Sequence, residues 1–292
     1  MTDAAYALSH VGYRIGGARI LDDITLDVHY GRVLALVGPN GAGKSSLLGI
    51  LSGDAAPSSG SVTLDGRPLA QLGARELARR RSVLLQANQV SFSFTTREVV
   101  EMGRAPWAGR GGDRFVDAVA GAAVGADAVG VPRSAAHAAH AASAAVLADD
   151  EIVRAAMRQA DVSHLAARAF SSLSGGERAR ASLARVLAQQ TPIVLLDEPT
   201  AALDLKHQED VLRIARALAA DGRAIVVVLH DLSLAAAYAD EIAIVHGGSL
   251  VAFGAPAEVL TAPRIESVYE TPVRVIADPD TGRPVVLPRR AA

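Results

Sequence analysis

The chain has 292 residues, 50% of them hydrophobic and 21% charged, with a formal net charge of -2 and a pI near 6.4. That suits one large or two modest folded domains and leaves no net electrostatic footprint for nucleic acid. The absence of cysteine excludes disulfides, thiolate zinc sites and a cysteine nucleophile. The opening MTDAAYALSHVGYRIGG has neither the basic start nor the apolar core of a signal peptide, and no apolar run approaches the roughly eighteen residues of a membrane span. A cytoplasmic location is expected.

In chain order, ILDDITLDV (20–28) alternates as a half-buried strand does, and VLALV (33–37) is a buried strand ended by glycine. GPNGAGKS (38–45) follows it, and SLLGIL continues as a helix. Arg79, Arg80 and Arg81 read as a solvated helix face. From about 98 to 168 the pattern turns helical, as in EIVRAAMRQADVSHLAARA, which predicts a helical subdomain inserted between core segments of about 1–97 and 169–260. Its Ala/Gly-rich tract 111–150 reads as an expanded loop, with His137 and His140 as incidental members. IVLLD (193–197) and AIVVVLH (224–230) are further buried strands, each followed by a helical pattern, so the fold class is α/β with a largely parallel sheet. The tail 261–292, with Pro263, Pro272, Pro284 and Pro288, predicts a small extended appendage.

Three stretches carry chemistry. GPNGAGKS fits G-x-x-x-x-G-K-[ST] in the strand-loop-helix context that a phosphate-cradling loop requires. Along the loop Gly38, Pro39, Asn40, Gly41, Ala42, Gly43, Lys44, Ser45 and Ser46, the backbone N–H groups of every residue but Pro39 can converge on phosphate oxygens, Lys44 can reach the β- and γ-phosphates, and Ser45 can ligate magnesium. Lysine occurs only at 44 and 206 among 29 basic residues, which favours a specific demand at Lys44. IVLLDEP ends a strand in two acids, Asp197 for the metal side and Glu198 to polarise a water. His230 and Gln86 end apolar runs where they can reach the same site; taken alone, each reads first as a structural polar residue. In LSGGE, Ser174 and Glu177 have capping-box spacing, while the Ser-Gly-Gly turn at a helix N-terminus is also an anion site.

In order and spacing, GPNGAGKS, Gln86, LSGGE, IVLLDEP, AALD (201–204) and His230 resemble the ATP-binding-cassette ATPases over nearly the whole chain apart from 111–150. The resemblance implies a P-loop, RecA-like core with a parallel sheet, an antiparallel β region and an inserted helical subdomain. It implies ATP and Mg2+ as cofactors, Tyr13 as the adenine-stacking aromatic with Tyr6 a neighbouring alternative, Gln86 on metal and water, Glu198 as general base, Asp204 at the interface and His230 as the switch. Ser46 replaces the threonine common there. It also implies a head-to-tail homodimer in which Leu173, Ser174, Gly175, Gly176 and Glu177 of one copy close on ATP held by the other. Asp204 reads equally as a helix cap.

QANQVSFSFTTREVVEMGRAPW (86–107) lies where the family docks on membrane permeases, and it resembles importers for iron-siderophore, vitamin B12 and heme. With a tail like YETPVRVIADPDTGRPVVLPRR it looks most like the heme importers. The implied partners are two permease subunits and, through them, a periplasmic heme-binding protein. The implied place is peripheral, on the cytoplasmic side of the inner membrane. A soluble cassette acting on nucleic acid or ribosomes would want a basic surface, coiled-coil inserts or two cassettes, and the composition and the single motif set disfavour each. A non-catalytic regulatory cassette would want damaged motifs.

Overall fold

The computed structural model describes residues 4–85, 94–108 and 148–290. The chain divides into two compact units, residues 1–89 with 190–292, and residues 90–189. In the first, β1 (Ala4–Ile15) and β2 (Ala18–His29) pair antiparallel through a turn in which Gly16 and Gly17 both take positive φ. With β4 (Ser59–Leu64) and β5 (Arg67–Pro68) they make a sheet of order β2-β1-β4-β5.

A second sheet has the order β10-β9-β3-β8-β7-β6. It comprises β3 (Val33–Val37), β6 (Arg81–Leu84), β7 (Ile193–Asp197), β8 (Ala224–Val228), β9 (Glu241–His246) and β10 (Ser249–Gly254). All neighbours are parallel except β9 and β10. Every residue of β3, β7 and β8 is buried, because a parallel sheet is covered on both faces and has no position for a polar side chain in mid-strand. On one face, Leu34, Leu36, Val226 and Val228 join one core with Leu47 and Leu51 of helix α1 (Lys44–Ser52) and with Tyr6, Leu8 and Leu21 of the antiparallel sheet. Helices Leu205–Ala220 and Leu232–Tyr238 also pack on the central strands.

In the second unit, helix Gly175–Ala188 packs on helix Thr96–Glu101 and the turn Met102–Trp107. The approach is close: a Cβ on Gly103 would stand 2.2 Å from the Arg185 carbonyl oxygen. LSGGE lies in this second unit. Of the tract 111–150 only 148–150 are described, in a helix of residues 148–159, so His137 and His140 lie outside the described residues.

The tail is not simply extended. Pro263 sits in the first turn of helix Ala262–Tyr269, where no intrahelical N–H bond is lost, and β11 (Val273–Ala277) pairs antiparallel with β12 (Pro284–Pro288). β12 packs on helix Leu232–Tyr238.

Candidate functional site

Lys44, Ser45, Asp197, Glu198 and His230 follow or end β3, β7 and β8 at their C-terminal ends. After β3 the chain turns through Gly38 at φ 149, where a Cβ would stand 2.0 Å from the Val245 carbonyl oxygen, so only glycine fits. Gly43 caps α1 at φ 103, and a Cβ there would meet Leu21 Cδ2 at 2.7 Å. Gly43 brings no side-chain cap, so the first-turn N–H groups of Lys44, Ser45 and Ser46 have none competing for them. Lys44 is buried, and its Nζ donates to the carbonyls of Gly38 (2.8 Å) and Pro39 (2.9 Å), spanning the loop between its first residues and α1. Burial lowers the pKa of its ammonium, opposed by the carboxylates of Glu198 and Asp197.

Asp197 is the last residue of β7 and is 7% exposed. The Ser45 hydroxyl donates to its Oδ1 at 3.3 Å. Burial raises the pKa of the Asp197 carboxyl, with the Ser45 bond, Lys44 and His230 acting against it and Glu198 adding to it. Glu198 follows with φ 49, a left-handed conformation rare outside glycine. Its side chain is 13% exposed and its Oε1 lies 2.5 Å from Nε2 of the more exposed His230. His230 comes from the loop after β8, and Asp231 caps the next helix by accepting from the N–H groups of Ser233 (2.7 Å) and Leu234 (3.0 Å). Neither the bend at Glu198 nor its pairing with His230 has a local sequence signal.

The two tyrosines separate. Tyr6 is fully buried and its hydroxyl donates to the Leu51 carbonyl at 2.8 Å, so it cannot stack on a ligand. Tyr13 is half-buried opposite Leu21 in the register of β1 and β2, and Leu21 is the side chain that abuts Gly43. Gln86 lies outside the described residues. Asp204 caps helix Leu205–Ala220, accepting from the His207 N–H at 3.0 Å, with its carboxylate largely exposed.

In the second unit, Leu173 is buried while Ser174 and Gly175 are exposed. The capping box is formed: Ser174 Oγ accepts from the Glu177 N–H (3.3 Å), and Glu177 Oε2 accepts from the Ser174 N–H (2.7 Å). The Ser174 N–H is the largest influence holding the Glu177 pKa down. Sequence reading missed Tyr269, whose buried hydroxyl is pushed up to about 12 by burial while the Gly38 N–H, the start of the loop, acts against that. No motif marks it.

The donors fit a magnesium-bound polyphosphate. Uncapped N–H groups and a lysine are the donors that anionic oxygens take, and Ser45 with Asp197 offers the hard oxygen pair that magnesium takes beside phosphate oxygens and water. Among the described residues no group of three or more His, Asp and Glu converges to hold a metal by itself.

Residues 21–201 match the family model described as ABC transporter. The hemin import ATP-binding protein HmuV of Thermobifida fusca is 53% identical over 96% of this chain and 87% of its own length. Its namesake in Nocardia farcinica is 51% identical over 93% and 83%. The ADP conformation of MJ1267, an ATP-binding cassette of an ABC transporter, superposes with a TM-score of 0.70 at 21% identity, covering 92% of this chain and 99% of that one.

Proposed function

The chain belongs to the ABC transporter family, and from that premise we propose that it is the ATP-hydrolysing subunit of a hemin importer. The observation that carries the ATPase part is the convergence of Lys44, Ser45, Asp197, Glu198 and His230 at one end of one sheet. The hemin part is supported by the names of relatives more than 50% identical over most of both chains.

In this reading the loop from Gly38 to Ser46 wraps the β- and γ-phosphates with N–H groups, and Lys44 turns its ammonium to the γ-phosphate. Ser45, Asp197 and Gln86 would hold a magnesium ion, which when bound would neutralise charge on the phosphate oxygens. Glu198 orients a water for in-line attack and takes its proton. His230, already against the Glu198 carboxylate, fixes that group and donates toward the γ-phosphate edge. Tyr13 stacks on adenine. Ser174, Gly175 and Gly176 of a second copy complete the site, with Asp204 at the shared interface.

No helix among the described residues is long and apolar enough to cross a membrane. In this reading the work is delivered to separate subunits. The dock we assign is the second unit, with two permease subunits reached through the segment ending at Trp107 and a periplasmic heme-binding protein beyond them. That places the chain on the cytoplasmic side of the inner membrane.

The test is ATPase activity in liposomes carrying this chain with its permease, with and without binding protein loaded with hemin, a ferric siderophore or cobalamin. Stimulation by hemin above the other two is expected. In the same liposomes Glu198→Gln keeps ATP binding and loses turnover about a hundredfold or more. Stimulation by another ligand alone removes hemin from the reading, and unchanged hydrolysis in Glu198→Gln removes the catalytic assignment.

A further inference from the structure

The C-terminal hairpin grips the helix that follows His230 at both ends. At the start of helix Leu232–Tyr238, the Val286 N–H donates to Ser233 Oγ (3.2 Å) and the Ser233 hydroxyl lies 3.5 Å from the Val286 carbonyl oxygen. At the far end, Arg283 Nη1 donates to the carbonyls of Ala236 (2.7 Å) and Ala239 (3.0 Å), groups that a helix leaves without intrahelical partners. A helix of seven residues has little stability of its own, so its position is set by what it packs on and by these bonds. Only Asp231, its N-cap, separates it from His230, and His230 in turn lies 2.5 Å from Glu198. A shift of the helix is therefore passed to the Glu198–His230 pair through a single residue.

We propose that the hairpin of β11 and β12 is a positioning element for His230, with Arg283 as the positioning residue that fixes the end of its helix. This rests on the reading of Glu198 and His230 as the hydrolytic pair. Arg283 holds the helix end remote from His230, so it acts by denying the helix, and so the imidazole, alternative positions. The proposal gives the tail beyond the residues matched by the family model a part in turnover.

The experiment compares the full-length parent with Arg283→Ala, Arg283→Lys and Arg274→Ala, the last removing the same charge from an exposed position of β11. Steady-state ATPase gives kcat and KM, and amide hydrogen exchange follows residues 229–239 against a control in helix Leu205–Ala220. Arg283→Ala is expected to lower kcat about tenfold with KM within about twofold, since the lost interaction acts on the reaction step and not on ATP binding. Its exchange is faster at 229–239 and unchanged in the control. Arg283→Lys, which still brings a donor, recovers much of the loss, and Arg274→Ala matches the parent. Parent-like kcat in Arg283→Ala, an equal fall in Arg274→Ala, or unchanged exchange at 229–239 overturns the proposal. A parent without ATPase activity overturns the functional reading instead, and the exchange arm then decides the grip on the helix by itself.

Discussion

Asp197 illustrates the tension of a site built to meet cations: its carboxyl is buried at the end of β7, and burial is the largest influence on it, raising its pKa. A folded-state pKa above the unfolded value means that the fold disfavours the ionised form. The resulting penalty is present in full above the folded pKa and is relieved as pH falls through it toward the unfolded value near 4. Asp197→Asn, which keeps the shape and removes the charge, should therefore melt above the parent at pH 7 to 8, with the gap closing toward about pH 4. Thermal unfolding across a pH series checks this. A lower melting temperature at neutral pH would mean that the Ser45 bond and the attraction of Lys44 outweigh burial. At this scale the sequence is readable where chemistry is local: two acids ending an apolar run, and a lysine in a glycine loop. It is silent on the left-handed φ of Glu198, which no local pattern marks, and on its contact with His230, which depends on β7 and β8 lying side by side in the sheet.

The helix-start pattern of LSGGE recurs within the same unit. Thr95 Oγ1 accepts from the Glu98 N–H at 3.3 Å and Glu98 Oε2 accepts from the Thr95 N–H at 2.7 Å, the same reciprocal pair as Ser174 and Glu177. The T-x-x-E spacing was there to be read in FTTREVVE and is overshadowed by the family resemblance of that segment. The repetition separates two meanings of one element. Removing either cap oxygen costs about 1 kcal/mol, so Thr95→Ala and Ser174→Ala should lower stability alike in denaturant titrations. Only Ser174→Ala should also lower ATPase turnover, about tenfold, because in the proposed function its turn serves a phosphate of the partner's nucleotide as well as its own helix. Equal, parent-like turnover in both variants would leave LSGGE as a helix start and nothing more. Elements buried on both faces, β3, β7 and β8, are legible as apolar runs. The tail is not, since its prolines suggest an extended chain until Pro263 is found in a helix and Pro284 and Pro288 at the ends of a paired strand.

Over the whole molecule, the chain has one lysine loop and one Ser-Gly-Gly turn, carried by different compact units. Whether they serve the same nucleotide within one copy or across two is a question of symmetry, and two inactive variants can answer it. In a head-to-tail dimer each site takes its loop from one protomer and its turn from the other. A dimer of Lys44→Ala with Ser174→Arg then concentrates both lesions in one site and leaves the second site with a native loop and a native turn. Random pairing of equal amounts makes about half the dimers mixed, so about a quarter of all sites are native, although every protomer is defective. ATPase activity of the mixture should rise from near zero at either end to about a quarter of the parent at equal proportions, following the product of the two fractions. If loop and turn acted within one copy, every site would carry a lesion at every ratio. Activity would then stay flat, and the assignment of Ser174, Gly175 and Gly176 to the partner's nucleotide would fall.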